Sequence, residues 1–268
     1  MSKPLAVITG ASSGIGMVFA RRLAPDHDLL LVARRQDRLA ALAAELTARH
    51  GSVVGVIVAD LTNAADLAVV ADRIAAEPNL ALLINNAGFG HRAAFWEADL
   101  NVIEDMHRLH VMAIVRLTHS ALRVLVAQNR GAIINVASVA SFAQRAGSAS
   151  YGATKSWLST FTEGLYLDLK KAGSAVAVQA LCPGFTYSGF HDGMAEDRHR
   201  IAPAAFWLTA DRVVDDSLRA LARGTLFVVP GWRYKWLIGV LTKLPTRLKL
   251  RLESRGLRRD PRKTGVRS

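Results

Sequence analysis

The sequence predicts an α/β fold built on a doubly wound parallel sheet. Seven short, near-continuous apolar segments, each bounded by turn residues, read as strands covered on both faces: "LAVITG", "LLLVAR", "VVGVIVAD", "LALLINNAG", "GAIINVAS", "AVAVQALCPG" and "TLFVVPG". Helical patterns separate most of them, at residues 17–23, 38–49, 65–76, 102–127 and 156–171, and such alternation implies parallel strands joined by right-handed crossovers. With 268 residues, 51% of them apolar, the chain can bury a full core. Sheets of this kind bind ligands beyond the carboxyl ends of their strands, so each chemical motif is expected just after a strand.

The first strand runs into "TGASSGIG", where Gly10, Gly14 and Gly16 lead into a helix at about Ile15. Glycines let the backbone approach a pyrophosphate, and the helix N-terminus offers it free N–H groups and positive dipole. After the second strand a dinucleotide fold usually carries an acidic residue that grips the ribose, but here the chain reads Ala33, Arg34, Arg35. The arginine pair suits a 2′-phosphate through charge-assisted hydrogen bonds, which favours NADP(H) over NAD(H); otherwise it is a solvated basic loop. The third strand ends at Asp60 and Leu61, where the carboxylate can meet the adenine amino group or cap the next helix, two roles that are compatible. The fourth ends in "NNAG", residues 85–88, which brings hydrogen-bonding groups to the crevice or forms an ordinary Asx turn.

Ser138 closes the fifth strand, thirteen residues before Tyr151 in "YGATK". A loop of that length can return the chain so that hydroxyl and phenol face one point. Tyr151 and Lys155 are one helical turn apart, and a nearby ammonium would hold down the phenol's pKa. The sixth strand ends in "CPGFTYS", a rigid Pro-Gly turn followed by the hydroxyls of Thr186 and Ser188.

With these motifs in order and spacing, residues 3–231 resemble the short-chain dehydrogenase/reductase family, in its NADP(H)-type branch with an extended C-terminal tail. The resemblance implies a seven-stranded Rossmann sheet, a nicotinamide cofactor, hydride transfer to or from a carbonyl or alcohol carbon, and a homo-oligomer, dimer or tetramer. It assigns catalysis to Ser138, Tyr151 and Lys155. Cofactor contacts fall to Gly10, Ser12, Ser13, Gly14, Ile15, Gly16, Arg34, Arg35, Asp60, Leu61, Asn86, Ala87 and Gly88. Tyr151, Lys155, Pro183, Gly184, Thr186 and Ser188 complete that set. One position departs from the family: His110 stands where an asparagine helps hold the water of a proton relay. Its ring either continues the relay, and so joins the catalytic set, or is a helix histidine satisfied by a nearby carbonyl.

Phe89, Phe95, Trp96, Phe185, Tyr187, Phe190, Met194, Phe206 and Trp207 are available to roof an apolar pocket, which would favour a hydrophobic ketone or 3-oxoacyl substrate, or they pack the small helices of a lid. No metal is expected, since His191, Asp192 and His199 match no ligand spacing. The lone Cys182 rules out an internal disulfide, and the first ten residues lack the pattern of a secretion signal, so a cytoplasmic protein is expected. No uninterrupted apolar run is long enough to span a bilayer. A rival reading keeps the same fold as a catalytically weak NADP(H)-binding regulator or scaffold, although such proteins usually lose the tyrosine or the lysine.

The formal charge of +12 sits almost wholly in one place: residues 231–268 hold twelve Lys/Arg against two Asp/Glu, a net +10, which leaves +2 for residues 1–230. The body, residues 1–230, is therefore read as the catalytic and cofactor-binding domain, and residues 231–268 as a basic amphipathic tail. Nucleic-acid binding would need aromatics interspersed with the charges, whereas here they cluster at the tail's start. Trp232, Trp236, Val240 and Leu244 recur every four residues, with Leu237 and Leu241 beside them, which predicts a helix with one apolar face before Pro245. That helix either rests on an anionic membrane or packs over the substrate cleft or a dimer interface.

Overall fold

The computed structural model describes residues 3–188 and 203–255. Strand and helix alternate as the apolar pattern requires: β1 (Leu5–Thr9), α1 (Gly14–Leu23), β2 (Asp28–Ala33), α2 (Gln36–His50), β3 (Val54–Val58), α3 (Ala64–Ala75) and β4 (Leu80–Asn85). There follow α4 (Leu100–His107), a π-helical turn (Arg108–Ala113), α5 (Ile114–Gln128), β5 (Ala132–Val136), α6 (Ala149–Lys171) and β6 (Ala177–Leu181). The chain then forms β7 (Thr186–Tyr187), β8 (Leu208–Thr209), α7 (Ala210–Leu221), β9 (Phe227–Val228), α8 (Trp232–Leu241) and α9 (Thr246–Arg255).

Seven strands make one parallel sheet in the order β3-β2-β1-β4-β5-β6-β9, as expected for a Rossmann sheet, and β7 and β8 pair separately. Strands β1, β2, β4, β5 and β6 are buried almost throughout, which is why they read as apolar runs without alternation. The sheet divides the core in two. Ile8, Phe19, Leu31 and Leu39 lie with α1, α2 and α7 on one face, while Val7, Leu30, Leu83, Leu117 and Leu125 lie with α3 and α5 on the other. Each large buried side chain contributes about 1.5–3 kcal/mol of transfer free energy. The winding reverses between β1 and β4, and the crevice opens at that switch point.

Several boundaries differ from the pattern. Helix α1 starts at Gly14 and α6 at Ala149, so Tyr151 and Lys155 sit in the first two turns of a 23-residue helix. The single helix expected over residues 102–127 is interrupted by the π turn around His110. Helix α7 was not expected at all. Residues 100–128 together are long and apolar enough, by length and composition, to cross a membrane. Leu117, Ala121 and Leu125 of this stretch instead pack into the core beside α3.

Candidate active site

The glycine turn is built by close approach. Gly10 has φ +67°, and a Cβ there would stand 2.8 Å from Asn86 Nδ2 and 2.9 Å from Ala87 Cα. Asn86 Nδ2 donates to the Thr9 carbonyl at 2.9 Å, and the Thr9 hydroxyl accepts from the Asn86 and Ala87 N–H groups at 2.9 and 3.0 Å. Thus "NNAG" is a clamp on the first turn. Gly16 packs behind that turn against the Gly10 carbonyl and does not line the cleft. Among the described residues helix α1 has no acidic residue in its first turn and no side-chain cap, and Gly14 and Ile15 of that turn line the crevice, a setting that suits an anion.

At the second strand end, Arg35 donates to Ser12 Oγ at 2.9 Å and to Ser13 Oγ at 2.8 Å. Among the described residues no carboxylate forms an ion pair with it. Burial and the neighbouring Arg38 and Arg34 charges hold its pKa below the usual arginine value. Arg34 is largely exposed and lies 3.6 Å from Asp60. Asp60 also accepts from the Thr62 N–H and hydroxyl at 3.0 and 2.8 Å. Asn63, not Asp60, caps α3, which settles the capping alternative against Asp60. Ser12, Ser13, Ile15, Leu61, Gly88, Pro183, Gly184, Thr186 and Ser188 line the same cleft of about 1130 Å³, as do Arg34, Arg35 and Asp60.

Of the catalytic candidates, the structure brings Ser138 and Tyr151 together. The Ser138 hydroxyl hydrogen-bonds the Tyr151 phenol and accepts from the Ala140 N–H at 3.1 Å within a short 3-10 turn, Val139–Ser141. Ser141 holds that turn to α6: its hydroxyl donates to the Lys155 carbonyl at 2.7 Å and accepts from Ser159 at 2.9 Å. Beneath, Asn85 Nδ2 bonds Thr118 and Asn135, and Asn135 Nδ2 bonds Thr162, which links β4, α5, β5 and α6 by buried polar contacts.

Lys155 also has a main-chain partner. Its ammonium donates to the Val136 carbonyl at 2.9 Å and lies 5.9 Å from the Tyr151 ring centroid. Burial dominates both groups: it pushes Tyr151 up to about 12, against the Ser138 hydrogen bond, and Lys155 down to about 8. Cys182, buried behind them, is pushed up to about 11 and stays a thiol.

His110 is buried, and both ring nitrogens are taken. The Phe89 N–H donates to Nε2 at 3.2 Å, and Nδ1 lies 3.0 Å from Thr154 Oγ1, whose own proton goes to the Tyr151 carbonyl at 2.9 Å. Nδ1 therefore carries the proton, and burial followed by the Lys155 charge keeps the ring neutral. With no free nitrogen the ring is a strut between the "NNAGFG" loop and α6. Its partners are an N–H and a hydroxyl, not the carbonyl of the structural alternative.

The substrate end holds Phe89, Phe185 and Phe206 of the expected roof. Tyr187 stacks on Trp207 at 5.1 Å, while Phe95 and Trp96 are exposed away from the cleft. Phe190, His191, Asp192, Met194 and His199 lie outside the described residues. Helix α8 walls the cleft, one of the alternatives drawn for this segment, and does so with Tyr234, which the sequence reading did not single out. Its Tyr234 hydroxyl accepts from the Phe185 N–H at 3.0 Å and donates to the Phe206 carbonyl at 2.8 Å, and its ring covers Gly184 so closely that no side chain fits there. Leu237, Ile238 and Leu241 face the cleft from the same side. The expected apolar face, Trp232, Trp236 and Val240, points outward instead.

This arrangement joins a glycine turn at the switch point, a helix N-terminus and a Ser-Tyr-Lys centre in one cleft. The sequence model described as short chain dehydrogenase matches residues 4–199. The chain belongs to the short-chain dehydrogenase/reductase family. It is thus an oxidoreductase, of a family that uses a nicotinamide cofactor and acts on small carbonyl or alcohol compounds. Among solved members, a short-chain dehydrogenase from Sphingobium yanoikuyae in complex with NADPH is 35% identical, covers 97% of this chain and 99% of its own, and superposes with a TM-score of 0.81. The bulky-bulky ketone specific alcohol dehydrogenase from Comamonas testosteroni is 32% identical over 98% of this chain and 100% of its own, with a TM-score of 0.78. The very-long-chain 3-oxoacyl-CoA reductase of Anas platyrhynchos is 29% identical over 186 residues, 66% of this chain and 58% of that protein.

Proposed function

We propose that this family member is an NADP(H)-dependent reductase of a bulky hydrophobic ketone or 3-oxoacyl group. One observation carries the reading: the Ser138–Tyr151 pair opens onto a cleft whose far wall is the apolar face of α8. The NADPH complex of the Sphingobium relative and the ketone named for the Comamonas enzyme support it. The glycine turn and the α1 N-terminus would hold the cofactor's diphosphate, and Arg35 with Ser12 and Ser13 its 2′-phosphate. When bound, that cofactor supplies the hydride.

The chain's residues supply orientation and the proton. Ser138 donates to the substrate oxygen, Tyr151 protonates that oxygen as negative charge develops on it, and Lys155 favours the phenolate that remains. His110 acts through Phe89 and Thr154, by fixing the loop and helix that flank Tyr151. The single, buried Cys182 supports a reducing, cytoplasmic setting, and exposed Met112, Val115 and Leu167 on the helical layer support a homo-oligomer.

The pH dependence follows from the shifts. Reduction needs a protonated Tyr151, satisfied well below its value of about 12, and a charged Lys155, lost as pH rises through about 8. The reductive rate should therefore be level near neutrality and fall above about pH 8, while alcohol oxidation, which needs the phenolate, should gain as pH rises. A reductive rate that climbs steadily past that pH would contradict the roles given to both residues.

The reading is tested by initial rates with NADPH across ketones of increasing apolar bulk, including acyl thioesters and steroids. Catalytic efficiency should rise with apolar bulk, by up to about tenfold for each buried group worth 1.4 kcal/mol. A preference for small polar carbonyls would refute it.

A further inference from the structure

Helix α8 has two apolar faces, and the site uses only one. Tyr234 and Ile238 are buried against the body, while Trp232 and Trp236, one turn apart, remain 69% and 68% exposed, with Val240 continuing the stripe. A turn beyond, α9 exposes Leu248 and Leu250. Cations surround these groups: Lys235, Lys243 and Arg247 are exposed and have no carboxylate partner among the described residues, and Arg233 lies over the Trp232 ring at 5.1 Å. The segment from 231 to 268 carries the net +10 noted above.

We infer that this outer face docks on an anionic lipid surface. Two tryptophans and a valine on one stripe of a helix suit the boundary between headgroup and acyl chain, where an apolar body and a polar N–H are both satisfied. The surrounding cations match anionic headgroups. A second copy of this chain is a poorer occupant, because a two-fold interface centred on the stripe would set the same cationic segment against itself. The surface is separate from the reading of the cleft: it needs no substrate, and its docking can fail while catalysis stands. If both hold, the cleft wall and the docking face are opposite sides of one helix, and an apolar substrate held in the bilayer lies next to the entrance.

The test is sedimentation of the full chain with vesicles of phosphatidylcholine alone or mixed with phosphatidylglycerol, at low and high ionic strength. Two variants accompany it, Trp232→Ser/Trp236→Ser and Lys235→Gln/Lys243→Gln/Arg247→Gln, with folding checked by circular dichroism. The wild type should sediment with the anionic vesicles at low salt, be released by high salt, and ignore the neutral ones. Loss of the tryptophans should weaken partitioning by about tenfold or more, since each removes the burial of a large apolar side chain. Wild type left in the supernatant at low salt, or folded tryptophan variants that sediment equally well, would overturn the inference. So would tryptophan-dependent binding to a DNA duplex without binding to vesicles, or a tryptophan-dependent dimer seen by light scattering that does not bind them.

Discussion

Tyr151→Phe is expected to lower the rate of ketone reduction by roughly a hundred- to ten-thousandfold, the range typical of general acid catalysis. That loss corresponds to about 2.7–5.4 kcal/mol of activation free energy. The substitution deletes one oxygen. Burial keeps the wild-type phenol protonated, so it is a ready donor, and Ser138 cannot replace it because its hydroxyl is a far weaker acid. Binding of NADPH, measured by calorimetry, should be nearly unchanged, because the groups assigned to the diphosphate and the 2′-phosphate lie at the β1 and β2 ends of the cleft. The substitution keeps the ring and its packing and removes one hydroxyl, so the variant should fold. A folded Tyr151→Phe protein that keeps wild-type turnover would remove the proposed proton donor.

Arg35→Ala should cost the enzyme its preference between cofactors. A hydrogen bond to a charged group contributes about 1.5–3 kcal/mol, so the wild type should favour NADPH over NADH by tenfold or more in kcat/KM. Arg35 is fixed by Ser12 and Ser13 before any anion arrives, whereas Arg34 is exposed and already drawn toward Asp60. The preorganised residue loses less side-chain entropy on binding, so its removal should cost more than Arg34→Ala. The effect should appear in the NADPH reaction and leave the NADH reaction nearly unchanged. Equal efficiency of the wild type with the two cofactors would contradict the assignment.

Much of this was legible in the chain because strand ends carry the chemistry. Buried parallel strands announce themselves as apolar runs, and the residues just after them, Gly10, Arg35, Asn86, Ser138 and Gly184, all gather at the crevice. Helix α7 was hidden because its buried positions, Val213, Val214, Ser217 and Ala220, are few and small amid charged residues. The partners of His110 come from Phe89 and Thr154, far along the chain, and no local pattern reports them. Lys155 was read as the neighbour of Tyr151 on its own helix, and that spacing gave no sign of the bond from its ammonium to the Val136 carbonyl of β5. In α8 two stripes competed. The tryptophan stripe is the more conspicuous, yet Tyr234, Ile238 and Leu241, spaced by four and three, form the inner one. Tyr234 wins its place because its hydroxyl meets both a donor and an acceptor in the loops it covers.

The central claim is hydride transfer from NADPH to the carbonyl carbon of an apolar ketone, with Tyr151 as proton donor. Its most direct test is turnover with NADPH that carries deuterium at the transferable position, followed by mass spectrometry of the alcohol. The wild-type product should carry one deuterium on its carbinol carbon, and that labelled alcohol should form roughly a hundred- to ten-thousandfold more slowly with Tyr151→Phe. Consumption of NADPH that leaves the carbinol carbon unlabelled, or equal rates of labelling by the two proteins, would contradict the claim.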